Sequence, residues 1–146
     1  MFTILLIEDN ERFRQTVRMV LSAYFPAVAI EEASDGQEAM EKVSRLLPEL
    51  VIADIKLRGE NGIRLTRKIK AASPETQIII LTIFDLPEYA EATLQAGASH
   101  FLTKGLSTGE ELAKLVASIM DRNGNSTKVM DRVSQSEEIP LEAFGA

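Results

Sequence analysis

Glu8, Asp9, Asp54, Thr82 and Lys104 carry the chemical interest of this sequence. Taken singly, none of them is informative. Adjacent acids suit the start of a helix as well as a ligand site, a lone threonine is an ordinary strand-end hydroxyl, and a lone lysine is by default a solvated cation. What sets them apart is a shared position. Glu8 and Asp9 follow the apolar run Ile4-Leu5-Leu6-Ile7, and Asp54 follows Leu50-Val51-Ile52-Ala53. Thr82 ends Ile78-Ile79-Ile80-Leu81, and Lys104 comes just after a weaker stretch around 100–102. If each run is a strand of one open parallel sheet, all five residues meet outside the carboxyl ends of the strands, where ligand sites form in such sheets.

The chemistry of that crevice follows from its residue types. Three carboxylates close together repel one another, so one takes up a proton or a cation joins them. With no cysteine and His100 as the sole histidine, the donors are oxygen and the cation is hard, Mg²⁺ or Mn²⁺. A carboxylate such as Asp54 can act as a nucleophile and form an aspartyl phosphate. Lys104 and the metal would offset charge on the transferred group, and the Thr82 hydroxyl can donate to a phosphoryl oxygen. His100 is expected at the surface.

The elements needed to hold these residues are legible in the chain. Short apolar runs rich in β-branched residues read as strands buried on both faces, and two weaker strands fit 27–33 and the stretch around 100–102. Phe13, Val17, Val20, Leu21 and Tyr24 share one helical face, as do Leu112, Leu115, Val116 and Ile119. Further helices are expected near 36–47, 63–72 and 87–96. Ser107 with Glu110, and Asp85 with Glu88, have capping-box spacing. Gly97 stands where a left-handed C-cap belongs. Strand and helix therefore alternate five times, which implies right-handed crossovers and a parallel sheet covered on both sides.

Composition narrows the function. The chain has 146 residues, 45% of them hydrophobic, no cysteine and a formal net charge of −6. It is large enough for one domain with a short extension. Residues 1–122 read as that domain and 123–146 as a linker or flexible C-terminal tail, opening on Asn-Gly-Asn-Ser-Thr. Lacking cysteine, a membrane span and a signal peptide, the chain is expected to be cytoplasmic and without a membrane partner. In the tail, Lys128 and Arg132 set two positive charges against four negative ones from Asp131, Glu137, Glu138 and Glu142, a net −2. Binding of nucleic acid through this chain is therefore not expected.

The stretches ILLIEDNERFR, EEASDGQEAMEKV, LVIADIKLRGENG, IIILTIFD and LQAGASHFLTKG occur in this order over residues 3 to about 122. In them the sequence resembles the receiver domain of bacterial two-component response regulators, closest in pattern to receivers of LuxR-type transcriptional regulators. The resemblance implies an α/β, flavodoxin-like (βα)5 fold, a five-stranded parallel sheet of order 2-1-3-4-5 with helices on both faces. It implies Mg²⁺-dependent acceptance of a phosphoryl group on Asp54 from a sensor histidine kinase or phosphotransfer protein, switching a protein-interaction face. Glu8 and Asp9 match the acidic pair serving Mg²⁺, and the backbone carbonyl of Lys56 matches a further metal ligand. Thr82 matches the switch hydroxyl, Phe101 the switch aromatic and Lys104 the phosphate-contacting lysine. It also implies a module that is not a turnover enzyme, that admits a phosphorylation-dependent homodimer, and that a DNA-binding domain can follow in a longer natural protein.

The sequence departs from the family pattern at four places. Glu8 replaces the common Asp and is expected to reach the metal through water. Arg58 and Gly105 stand where proline is common, and no cis peptide is expected at Gly105. Ile83 follows Thr82 where a small residue is common, and is expected to crowd the mouth of the crevice. Other functions fit less well. An aspartate-based phosphohydrolase of the haloacid-dehalogenase type wants a second Asp where Lys56 stands. A flavin-binding flavodoxin would meet repulsion from Glu8-Asp9-Asn10. The remaining alternative is a receiver-like interaction module that is never phosphorylated.

Overall fold

The computed structural model describes residues 1–105 and 107–122. The elements are β1 (Thr3–Ile7), α1 (Glu11–Tyr24), β2 (Ala29–Ala33), α2 (Gly36–Leu46), β3 (Leu50–Ala53), β4 (Lys56–Leu57), β5 (Glu60–Asn61), α3 (Gly62–Ala72), β6 (Gln77–Thr82), α4 (Pro87–Gln95), β7 (His100–Thr103) and α5 (Gly109–Arg122). Five strands form one parallel sheet of order β2-β1-β3-β6-β7. This is the expected 2-1-3-4-5 order, renumbered because the two-residue strands β4 and β5 pair separately as an antiparallel ribbon. Strands that short carry no periodicity, so the sequence offered no sign of them.

The continuous apolar runs have the origin expected of them: successive side chains feed different cores. Ile4, Leu6, Ile52, Ile79 and Leu81 pack with Phe13, Val17, Val20 and Leu21 of α1 and with Leu112, Val116 and Ile119 of α5. Leu5, Ile7, Val51, Ala53, Ile78 and Ile80 pack on the other face with Val43 of α2 and Leu65 and Ile69 of α3. The central strands β1, β3 and β6 are almost wholly buried, whereas β2 and β7 lie at the sheet edges. Among the described residues, no helix is long and apolar enough to cross a membrane.

Helix ends correct several expectations. α1 is capped by Asn10, whose side chain accepts from the Phe13 N–H, and α2 by Asp35. The Ser107/Glu110 box is displaced by one residue: the Thr108 hydroxyl accepts from the Glu111 N–H at 3.0 Å. Ser107 is buried, its N–H donating to the Thr103 carbonyl. The Asp85/Glu88 box does not form, because α4 starts after Leu86 without a side-chain cap, on Pro87. A proline at this position needs no N–H partner. Gly97 does follow α4 with φ +113°, as a left-handed C-cap requires. β2 starts at Ala29, two residues later than expected. No cis peptide occurs among the described residues. The linker or tail reading of 123–146, and the charge argument built on it, lie outside the described residues.

Candidate functional site

The sheet brings Glu8, Asp54, Thr82 and Lys104 to one end, each held there by backbone bonding between neighbouring strands. The Glu8 N–H donates to the Ala33 carbonyl at 3.1 Å and the Asp54 N–H to the Ile7 carbonyl at 3.2 Å. The Lys104 N–H donates to the Thr82 carbonyl at 2.8 Å. Register therefore places these residues at the strand ends. The Glu8 and Asp54 carboxyls are buried, 6% and 7% exposed, a position that acids occupy only with partners.

Those partners converge from three directions. Lys104 Nζ donates to Glu8 Oε1 at 2.6 Å and to Asp54 Oδ2 at 2.9 Å. The second oxygen of each acid is used locally, Glu8 Oε2 accepting from the Asn10 N–H at 3.2 Å and Asp54 Oδ1 from the Ile55 N–H at 2.6 Å. Lys104 Nζ also stands over the Phe13 ring, 4.1 Å from its centroid. Arg14 fixes the turn after β1 by donating to the Glu8 carbonyl at 2.7 Å while paired with Glu32 at 2.6 Å. The remaining residues frame this group. Thr82 is fully buried, and its hydroxyl accepts from the Phe84 N–H at 3.4 Å. Phe101 is half-buried against the core beneath α2 and α3, which Phe84 and Tyr89 also flank. Lys56 is exposed, in the β4–β5 ribbon immediately after the Asp54 turn.

The crowded acids were expected to take up a proton or to be joined by a cation, and Lys104 is a cation that joins two of them. Asp9 is half-buried, and among the described residues no three carboxylate, imidazole or thiol side chains are placed together to hold a metal ion. The side chains of Glu8 and Asp54 offer oxygen donors, which fits a hard dication in type. Ile83 is 68% exposed, its bulk largely in solvent at the strand end. His100 is half-buried rather than on the surface, its Nδ1 enclosed without a hydrogen-bond partner, and burial with the nearby Arg122 charge lowers its pKa.

Burial raises the Glu8 carboxyl to about 7, against the opposing pull of the Lys104 charge. Burial also works against the charge on Lys104, yet Glu8 and Asp54 outweigh it and hold the ammonium above its ordinary value. The folded state thus binds more protons at Glu8 than the unfolded chain between pH values of about 4.5 and 7. Stability from this group is complete below that window and falls as pH rises through it, by at most about 3 kcal/mol. Without divalent cations, the melting temperature of Glu8→Gln is expected to lose most of the wild-type decline over that range. An unchanged decline would assign it to other groups.

Phe13, Arg14 and Gly62 are the site residues that sequence reasoning did not single out. Phe13 read as core because it lies on the α1 stripe, and it is core as well. Gly62 lies against the turn that carries Asp54, its N–H donating to the Ile55 carbonyl at 2.6 Å. The Gly-Glu-Asn-Gly run was the available signal for it.

Comparison with known proteins agrees with this fold. Residues 4–117 match the model of the response regulator receiver domain. The oxygen regulatory protein NreC of Staphylococcus epidermidis is 32% identical over 141 residues, covering 92% of this chain and 64% of that protein. The response regulator GacA of Pseudomonas viridiflava is 27% identical over 110 residues, 75% of this chain and 51% of that one. A two-component response regulator of the LuxR family from Aurantimonas superposes with a TM-score of 0.76 at 28% identity, over 91% of this chain and 95% of that structure. The chain spans about half the length of the first curated relatives it matches.

Proposed function

The chain belongs to the response regulator receiver domain family, and we propose that it works as a phosphoryl-accepting switch, with Asp54 as the acceptor and a sensor histidine kinase or phosphotransfer protein as the donor. The observation that carries this reading is the Lys104 ammonium held at once by Asp54 and Glu8 in a buried strand-end crevice. A buried carboxylate with one oxygen fixed by the next backbone N–H and the other on a lysine is oriented for attack along one direction.

In this proposal an Asp54 oxygen attacks the phosphorus, and the bond from phosphorus to the donor breaks as the donor leaves. Lys104 meets the negative charge that develops on the phosphoryl oxygens. Thr82 gives up its contact with the Phe84 N–H and donates to the phosphoryl group, and the half-buried Phe101 moves inward to change the adjoining face. Glu8, Asp9, Asp54 and the Lys56 carbonyl would hold Mg²⁺ or Mn²⁺, which supplies charge neutralisation to the phosphoryl oxygens. The reaction modifies the chain itself, so it is a switch and not a turnover enzyme, located in the cytoplasm. The changed face would serve a partner or a second copy. Its longer relatives include proteins named as transcriptional regulators, and a DNA-binding segment in a longer form of this protein would supply the output.

The test is beryllium fluoride added with Mg²⁺, a phosphoryl mimic, followed by backbone amide shifts. Shifts centred on Asp54 and reaching Thr82 and Phe101 are expected. No shift at saturating reagent would overturn the reading and leave an interaction module that never takes phosphate.

A further inference from the structure

We propose that Phe13 is a positioning residue for Lys104, its ring holding the ammonium over the crevice. This rests on the reading of Lys104 as the cation that faces the phosphoryl group. The ring centroid lies 4.1 Å from Lys104 Nζ, well within the range at which the negative face of an aromatic ring attracts a cation. Phe13 is 3% exposed and the Lys104 side chain 12% exposed, so little water competes for the contact. The ring is held by its own helix cap: Asn10 accepts from the Phe13 N–H at 3.0 Å, while the Asn10 N–H donates to Glu8 Oε2. One residue thus sets both the ring and the carboxylate that share Lys104.

The ring differs from the other two partners in what the reaction asks of them. Asp54 gives up an oxygen when it becomes an acyl phosphate, and Glu8 is an oxygen donor toward a dication. Both lose hold on Lys104 as the site is used. The ring is neither titrated nor consumed, so it keeps the ammonium in place throughout. A purely structural Phe13 would only fill space beside Leu6, Val17, Ile52 and Leu81.

The test replaces Phe13, in the full chain, with phenylalanines of increasing fluorination, which keep the ring in place while weakening its negative face. Phosphoryl uptake from acetyl phosphate with Mg²⁺ is expected to fall stepwise along the series. Phe13→Leu should lower uptake about tenfold, and should have no effect on beryllium fluoride affinity in a Lys104→Ala background. A flat series, or an equal loss with and without Lys104, would overturn the proposal and leave a packing residue. If the wild type takes up no phosphoryl group, the switch reading fails and the proton shifts of the Lys104 ε-methylene decide the ring contact. An upfield position relieved in Phe13→Leu supports the contact, and an unshifted position overturns it.

Discussion

Asp54→Asn is expected to reduce phosphoryl labelling, from acetyl phosphate or from a kinase, to background. The amide is a far poorer nucleophile than the carboxylate, and no other acid occupies its place. Among the described residues, Glu8 is the one other acid bound to Lys104, and its second oxygen is engaged by the Asn10 N–H. The loss should not come from unfolding. Removing the Asp54 charge relieves a repulsion that helps raise the Glu8 carboxyl, so Glu8 should ionise more readily and pair more fully with Lys104. Melting in parallel with labelling separates the two effects. Labelling at the wild-type level in a folded variant would remove Asp54 as acceptor.

Gly62→Ala is expected to be the most damaging single-methyl change near the site. A Cβ there would lie 2.0 Å from the Asp54 carbonyl oxygen, 2.7 Å from Ile55 Cα and 2.9 Å from the Asp54 carbonyl carbon. All three are backbone atoms of the turn that carries Asp54, so no side chain can rotate away. Either α3 moves out or the turn carrying Asp54 moves, and overpacking of this kind costs about 3 kcal/mol. Gly105→Ala is the control, because there the added methyl meets nothing within 4 Å among the described residues. Denaturant unfolding should rank Gly62→Ala well below Gly105→Ala in stability, with weakened phosphoryl labelling at Gly62→Ala even where it folds. Equal stabilities would mean that the turn yields easily.

That the sheet is parallel and covered on both faces was readable because Ile4 to Ile7 and Ile78 to Leu81 are apolar at every position, a pattern that central parallel strands require; the order of its strands came from the resemblance to receiver domains. The strand ends then followed, and with them Glu8, Asp54, Thr82 and Lys104. Boundaries that depend on a single hydrogen bond were not readable. Ser107 and Thr108 are chemically equivalent as caps, and only the burial of Ser107 decides between them. The two-residue ribbon at Lys56 and Glu60 has no period to detect. The role of Lys104 as a bridge, and the place of Phe13 over it, were hidden for another reason. A stripe shows which side of a helix is apolar but not which of its residues meets a charge arriving from a strand near the other end of the domain.

The bridge to Lys104 also bears on the order in which the molecule assembles. It joins positions 96 and 50 residues apart in the chain, and it needs β7 already seated beside β6. Loop closure over such separations is late and entropically costly. Until the last strand docks, Glu8 and Asp54 approach each other with no countercharge between them. Glu8, Asp54 and Lys104 therefore form a latch that closes after the sheet, not a nucleus that starts it. Substitutions there should alter the rate of unfolding far more than the rate of folding.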